Sequence, residues 1–209
     1  MSSDHSQRKI RLKREWLLTA IISFCLLAFL IFGDISRALS NVLYDHFMRL
    51  HGFKSTEEIV IVAVDDRTLS ELGGWPIRRH QYAKLLRNLN EERYQPKAIG
   101  FDLLFLDSTA DDIDLANQMS LFNAVLPLEF KVQEDAQQSY KPTLPVSPLA
   151  TSASIGHINL AFDTDGVIRG IQTKALEWTQ FGLLMHAKGD PNFHLTQISS
   201  GYQRFRMVD

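Results

Sequence analysis

The sequence predicts an α/β domain with a mostly parallel central sheet and a C-terminal β-hairpin, preceded by an N-terminal transmembrane helix. Three patterns lead to this prediction. An uncharged apolar run lies near the N-terminus. Two short apolar runs then flank one amphipathic helical pattern, which is the spacing of a βαβ unit with parallel strands. Finally, an Asp-Gly pair lies between two further strand-like runs, which is typical of a hairpin turn.

The composition of the 209 residues excludes several classes of protein. A single cysteine, Cys25, excludes a disulfide-bonded scaffold. The formal net charge of -2, with no strongly cationic segment in the folded part, argues against a nucleic-acid partner. The charge is distributed unevenly, because residues 1–15 carry +3, residues 16–33 carry none and residues 34–209 carry -5.

The uncharged run extends from residue 16 to residue 32 and spans about 25 Å as a helix, near the lower limit for crossing a bilayer. Because basic residues cluster before it, the positive-inside rule predicts a basic cytoplasmic tail at residues 1–15 and a transmembrane helix at residues 16–33. The rest of the chain would then lie outside the cytoplasm, anchored in a bacterial inner membrane by a single pass. A cleaved signal peptide and a buried core helix are the alternatives.

The elements of the predicted extracytoplasmic domain, residues 34–188, follow from apolar periodicity. Apolar side chains at helical spacing predict a helix at residues 34–50 that connects the membrane to the domain. Residues 59–64, with the sequence IVIVAV, predict a strand that is covered on both faces. A helix at residues 80–90 separates it from a second strand at residues 97–105, and the two strands should be parallel neighbours.

The second half of the domain continues the alternation of helices, strands and loops. The predicted elements are a helix at 111–122, a strand at 124–130, a polar loop with three prolines at 131–148, strands at 155–162 and 167–178, a short helix at 181–188 and a polar tail at 189–209. The two later strands flank Asp163-Thr164-Asp165-Gly166 and should therefore form the hairpin.

Three acidic residues lie at the ends of the first two predicted strands. Asp65 and Asp66 follow the first strand, and Asp102 lies near the end of the second. Ligands of open α/β sheets bind at the carboxyl ends of strands, and carboxylate oxygens there can hold a divalent cation for phosphoryl transfer. A metal-dependent hydrolase that uses the Asp65/Asp66/Asp102 cluster is therefore one alternative function.

Other catalytic patterns are absent from the sequence. Gly73 and Gly74 are followed by Trp75 and Pro76, and proline lacks the amide donor that a phosphate-binding loop needs. No Gly-x-Ser-x-Gly elbow, His-Glu-x-x-His motif or closely spaced Cys/His cluster occurs. We therefore expect no catalytic residue, no resident metal and no cofactor.

The segment Gly73-Gly74-Trp75-Pro76-Ile77-Arg78-Arg79 combines glycine flexibility, a large aromatic ring, a rigid proline and two guanidinium groups. It predicts a recognition loop in which Trp75 supplies an aromatic face and Arg78 or Arg79 binds an anionic group. The alternative is a structural turn in which Trp75 packs on the core and Arg79 pairs with a nearby aspartate.

Three motifs occur together in the order and spacing of one protein family. They are VAVDDRTLSELGGWPIRRHQYAKLL at residues 62–86, PKAIGFDLLFLD at residues 96–107 and GHINLAFDTDGVIR at residues 156–169. Together with Tyr44, Asp45 and Arg49 in the first helix, they resemble the second type of CHASE domain, the cyclase- and histidine-kinase-associated sensing extracellular domain. The resemblance extends over about residues 34–175.

The resemblance implies a sensory rather than a catalytic domain, outside the cytoplasm, in a receptor with a two-component or cyclic-nucleotide output. The characteristic positions are Asp65, Asp66, Trp75, Pro76, Arg79, Asp102, Asn159, Asp165, Gly166 and Arg169. The candidate ligand-binding residues for an unknown small molecule are Asp65, Asp66, Trp75, Arg79, Asp102, Asn159 and Arg169. A buried Asp–Arg network that holds the fold would explain the same pattern. Ile77 and Arg78 depart from the family, which often has Trp and Pro there.

The family's domain usually continues beyond the position of Asp209. We therefore expect a receptor fragment that is incomplete at its C-terminus and lacks its own output module. It would act by pairing with a second copy or a full-length receptor through Leu39, Val42 and Leu43, and would transmit ligand binding through the helix at residues 34–50. A structural, membrane-anchored interaction protein is the remaining alternative.

Overall fold

The computed structural model describes residues 2–32, 35–51, 58–132 and 140–205. These residues divide into two compact units. The first unit contains the N-terminal helices and extends to Ile61, and the second comprises residues 62–206. Every candidate ligand-binding residue lies in the second unit.

Helices and short strands alternate through the described residues. The helices are α1 (Ser2–Phe32), α2 (Ile35–His51), α3 (Asp66–Leu72), α4 (Arg79–Leu89), α5 (Asp112–Met119), α6 (Ser147–Ser152) and α7 (Phe181–Gly189). The strands are β1 (Ile99–Gly100), β2 (Ala124–Val132), β3 (Tyr140–Thr143), β4 (Ser154–His157), β5 (Gly170–Gln172), β6 (Lys174–Ala175), β7 (Trp178–Thr179) and β8 (Tyr202–Arg204). A 3₁₀ turn at Leu195–Gln197 precedes β8.

The helices predicted at residues 34–50, 80–90, 111–122 and 181–188 are confirmed as α2, α4, α5 and α7, with small shifts at their ends. The predicted polar loop at residues 131–148 instead contains β3 and the start of α6, while its residues 133–139 lie outside the described residues.

The prediction of a transmembrane helix at residues 16–33 is wrong. Residues 2–32 do form one helix, α1, but within the described part of the chain no helix is long and apolar enough to cross a membrane. The uncharged run covers about 25 Å of α1, whereas the hydrocarbon core of a bilayer is about 30 Å thick.

The central sheet of the second unit is built around β2. Strands β1 and β4 both pair with β2 in parallel, with Ile99 opposite Ala124 and Ser154 opposite Val125. Strand β3 pairs antiparallel with the C-terminal half of β2. The predicted α/β class and the mostly parallel pairing of the sheet are therefore confirmed.

The apolar run at residues 59–64 does not form the predicted strand. Its side chains are exposed, with Val60 82 % and Ile61 85 % accessible, and none of the described strands pairs with it. The predicted pairing with residues 97–105 is wrong, because β1 pairs with β2 through a crossover that contains α5. The β-branched composition favours a strand, but a strand also needs a neighbour, which tertiary structure supplies.

The hairpin predicted around Asp163 to Gly166 is partly wrong. The turn exists, since the Gly166 N–H donates to the Asp163 carbonyl at 2.9 Å and the Asp163 N–H donates to the Val167 carbonyl at 3.0 Å. Its flanking segments do not pair with each other, because β4 joins β2 and β5 pairs antiparallel with β8. A hairpin lies further along the chain, between β6 and β7. Turn chemistry is local, whereas the choice of strand partner is not.

The core of the second unit joins α4, α5 and α6 to the sheet. Tyr82 of α4 lies 6.1 Å from the Phe101 ring and 5.6 Å from the Phe105 ring, centroid to centroid. Leu115 and Met119 of α5 are fully buried in the same cluster. This packing holds the N-termini of α4 and α5, where the charged residues described below are located.

Candidate functional site

Asp65 caps the short helix α3. Its Oδ1 accepts hydrogen bonds from the backbone N–H and Oγ1 of Thr68 at 2.8 and 2.7 Å. These hydrogen bonds to Thr68 lower the pKa of Asp65 below its ordinary value. The helix ends at Gly73, whose φ of 90° lies in the left-handed region that glycine adopts without strain. Asp65 therefore fixes the N-terminus of α3, and Gly73 ends the helix before the loop that leads to α4.

The loop between α3 and α4 presents an aromatic ring and a guanidinium group to solvent. Trp75 is 62 % exposed, and Arg78 is exposed as well. The Trp75–Pro76 peptide bond is cis. Between the two exposed side chains, Ile77 is buried in the core. The loop is thus anchored at its centre by Ile77.

Arg79, the first residue of α4, is bound within the fold. Its Nε donates to Asp112 Oδ1 at 3.1 Å, and a terminal guanidinium nitrogen donates to the Asp107 carbonyl at 3.1 Å. The guanidinium carbon lies 4.3 Å from the centroid of the Phe105 ring, which is cation–π geometry. The Arg79 and Asp112 side chains are 11 and 2 % exposed. Arg79 therefore joins α4 to the N-terminus of α5.

Asp112 is a member of this cluster that no sequence motif marked. Besides Arg79, it accepts the backbone N–H of Thr109 at 2.7 Å and the Thr109 hydroxyl at 2.9 Å. Burial alone would raise the pKa of Asp112, but the hydrogen bonds from Thr109 and Arg79 outweigh it, so the pKa lies below the ordinary value. In the sequence, Asp112 could have been found from Ser108 and Thr109, whose hydroxyl groups precede an acidic helix start.

Two further pairs connect α4 with α5. His80 Nδ1 lies 3.2 Å from Asp111 Oδ2, and the Arg87 guanidinium binds the Asp114 carboxylate. All four side chains are close to half exposed. Solvent screening keeps such exposed pairs below about 1 kcal/mol, so the buried Arg79 pair dominates this contact.

Asn159 bridges the ends of two strands. Its Oδ1 accepts the Phe130 N–H at 2.8 Å, and its Nδ2 donates to the Phe130 carbonyl at 3.1 Å. The side chain thus extends the pairing of β2 beyond the end of β4. Both polar groups of the Asn159 side chain are therefore used to hold the segment after β4 against β2.

Arg169 lies at the centre of a second ionic cluster. The guanidinium is 2 % exposed and donates to Asp163 Oδ2 at 2.8 Å, and to the two Asp165 oxygens at 2.9 and 2.8 Å. Arg204 also approaches Asp163 Oδ2 at 3.7 Å. Asp163 and Asp165 belong to the predicted turn, and in the structure they also neutralise a buried cation.

The acidic residues Asp65, Asp66 and Asp102 do not assemble into a metal site. Asp66 and Asp102 are exposed, and Asp65 is used as a helix cap. Across residues 2–32, 35–51, 58–132 and 140–205, no group of three or more His, Cys, Asp or Glu side chains is arranged to hold a metal ion. The geometry therefore gives no support to the hydrolase alternative.

The relationship to known proteins agrees with these motifs. A sequence model of the CHASE2 domain matches residues 19–205. The chain belongs to the CHASE2 domain family. CHASE2 domains are extracytoplasmic sensory modules rather than catalytic ones. No curated protein and no solved structure shows significant similarity to the chain.

The candidate residues of this CHASE2 domain form two groups, those whose polar atoms are bound within the fold and those that are exposed to solvent. Asp65, Arg79, Asn159 and Arg169 have their polar atoms engaged within the fold. The exposed candidates are Asp66, Trp75 and Asp102. Arg78, which the candidate set omitted, is exposed beside Trp75. Trp75 and Arg78 of the α3–α4 loop are therefore accessible to a ligand from solvent.

We expect the stability of the CHASE2 domain to fall in acid as Asp165 binds a proton. The hydrogen bonds from Arg169 hold the pKa of Asp165 at about 2, below the ordinary 3.8. Because the folded pKa is the lower one, this stabilisation is complete above pH 3.8 and is lost as the pH falls towards 2. Urea unfolding followed by circular dichroism between about pH 5 and pH 2 measures the loss. An Arg169→Met variant with an unchanged acid profile would contradict this assignment.

Proposed function

We propose that this CHASE2 domain is the ligand-input domain of a signal-transduction receptor and binds a small anionic molecule at the α3–α4 loop. The family match over residues 19–205 is the observation on which the sensory role rests. The receptor's output would be a two-component or cyclic-nucleotide enzyme, as the sequence resemblance implies. Trp75 and Arg78 would contact the ligand, and Arg79 would position them.

The assignment to Arg78 follows from what Arg79 already binds. Arg79 is committed to Asp112 and Asp107, so its guanidinium is not available to a ligand. Arg78 is exposed, and no ion pair of Arg78 occurs among the described residues. The planar guanidinium of an arginine binds carboxylates and phosphates through two parallel hydrogen bonds. Arg78 is thus the cation of the loop that can recognise an anion.

The start of α4 adds to the attraction for an anion. Arg78 is the N-cap residue of α4 and makes no side-chain capping hydrogen bond. The first backbone N–H groups of a helix carry a partial positive charge, worth about 0.3–1 kcal/mol to a nearby anion. The exposed Trp75 ring supplies an apolar face for the rest of the ligand. These three features converge on one exposed loop.

We expect Arg78→Ala to weaken anion binding at least tenfold without a measurable loss of stability. The guanidinium is exposed, so its removal leaves no buried partner unpaired. Thermal shift and tryptophan fluorescence would be recorded with inorganic phosphate and citrate, and with glucose as a neutral control. Trp75→Phe identifies which of the three tryptophans reports binding.

Arg67→Ala is the matched control, because Arg67 is an exposed arginine of the neighbouring helix α3 that pairs with Glu71. It should bind both anions as the parent does. If neither anion shifts the parent's melting temperature, or if Arg78→Ala and the parent bind equally well, the site is not at this loop.

A further inference from the structure

His157 is buried in the sheet with its ring nitrogens unpaired. It is the last residue of β4, lies opposite Leu128 of β2 and is 0 % exposed. Among the described residues, neither Nδ1 nor Nε2 has a hydrogen-bond partner. The Phe130 ring lies beside the imidazole, with 6.4 Å between the centroids. Buried polar atoms are nearly always paired, so an unpaired imidazole requires an explanation.

The same residue lies where β4 meets the start of α7. His157 forms an isolated parallel bridge with Gln180, the N-cap residue of α7. The Gln180 N–H also donates to the Thr173 carbonyl at 3.0 Å. At the preceding position, a Cβ on Gly156 would lie 2.7 Å from the Phe181 Cα, so the two backbones are in close contact. Movement of His157 would therefore disturb the packing of the start of α7 against β4.

The charged groups on the elements around His157 are not hydrogen-bonded to its ring in the described part of the chain. Charged and titratable groups on the neighbouring described elements are Glu129, Lys131, Arg169, Glu177, His186 and Lys188. Within the described residues, none of them forms a hydrogen bond with the imidazole. Burial lowers the pKa of His157, and the nearby backbone of Gln172 opposes this shift with a smaller effect, although it does not reach hydrogen-bond geometry with either ring nitrogen. The neutral ring is thus the form that the fold accommodates.

We propose that His157 makes this domain responsive to acid, because binding one proton to its ring opens the contact between β4 and the start of α7. The imidazolium has two N–H donors and a full charge, and the Gln172 backbone can accept from at most one of them, so the other donor and the charge are satisfied only by reaching water. The neutral ring, in contrast, packs against Phe130 as an apolar side chain does. This input is separate from the anion proposed to bind at Trp75 and Arg78.

The pH range of the response follows from the direction of the shift. The folded domain binds the proton less readily than the unfolded chain, whose histidine has the ordinary value of 6.5. The folding equilibrium constant is therefore unaffected well above pH 6.5 and falls by up to tenfold for each pH unit below it. Asp65, Asp112 and Asp165 lose their contributions only below about pH 3.8, so they do not contribute in this range.

The test compares the complete chain with its His157→Leu variant in urea unfolding at about pH 7 and about pH 5.5. Between these two conditions, the parent's folding equilibrium constant should fall more than that of His157→Leu, by up to about eightfold. His194→Leu, which removes an exposed histidine, should behave as the parent does. Equal pH dependence in the parent and in His157→Leu overturns the proposal.

A second measurement on the parent decides the question if His157→Leu does not fold. In histidine labelled with ¹³C, the His157 ring resonance should keep its neutral position as the pH falls through about 6.5. Amide hydrogen exchange at Ser154–His157 and at the start of α7 should accelerate over the same range, ahead of the rest of the sheet. A His157 ring that binds its proton at pH 6.5 or above, with exchange unchanged, overturns the proposal.

Discussion

Replacing Arg79 by alanine is expected to lower the free energy of unfolding by about 3 kcal/mol. The substitution leaves Asp112, which is 2 % exposed, without the guanidinium that balances its charge. It also removes the contact with the Phe105 ring and the hydrogen bond to the Asp107 carbonyl. The hydrogen bonds from Thr109 remain and keep the loss at the lower end of the range for a broken buried pair. Urea unfolding at neutral pH measures the change.

Arg87→Ala is the matched control for Arg79→Ala. Arg87 lies on the same helix and binds Asp114 of α5, but both side chains are close to half exposed. Its removal should cost less than about 1 kcal/mol. An Arg79→Ala, Asp112→Ala double variant should lose less than the sum of the two single variants, because neither charge is then left alone. Similar small losses in Arg79→Ala and Arg87→Ala would show that the buried pair does not hold α4 to α5.

Replacing Arg169 by methionine should destabilise the domain by a similar amount, about 3 kcal/mol. Methionine keeps much of the buried volume but cannot donate to the carboxylates of Asp163 and Asp165. The two carboxylates would then repel each other across the turn. The Arg169 carbonyl also accepts the Phe205 N–H at 2.9 Å beside β5, so the β5–β8 pairing should loosen as well. Hydrogen exchange of β5 and β8 would report this local effect.

Arg204→Met serves as the control for Arg169→Met. Arg204 approaches the same Asp163 carboxylate, but at 3.7 Å and with a side chain that is 39 % exposed. We expect a loss of less than about 1 kcal/mol and an unchanged acid profile. If Arg204→Met and Arg169→Met were equally mild, the turn would be held by its backbone hydrogen bonds alone.

The sequence located the charged residues of the Arg169 cluster but not the partner of Arg79. Arg79 and Arg169 stand out in the motifs, whereas Asp112 lies 33 positions from Arg79 in an ordinary amphipathic helix. A buried salt bridge of this kind depends on how α4 packs against α5, and local sequence does not specify that packing. The prediction that Asp65, Asp66 and Asp102 cluster failed for a related reason, since it assumed that residues 59–64 form a strand beside β1.

What the sequence alone determined is the class of the protein and its local elements. Three spaced motifs identified the family, and apolar periodicity located α2, α4, α5 and α7, because side chains three and four positions apart lie on one helix face. The turn at Gly166 followed from local turn chemistry in the same way.

Tertiary structure decided which strands pair and which polar groups are buried. The run IVIVAV has the composition of a strand, yet β1 pairs with β2 and not with this run. His157 is buried without a hydrogen-bond partner among the described residues, although its neighbours in sequence do not mark it. Strand pairing and burial depend on residues far apart in the chain, so their energies are not present in any local pattern. The exposure of Trp75 and Arg78 has the same cause, since the burial of Ile77 and the pairing of the largely buried Arg79 with Asp112 orient the loop.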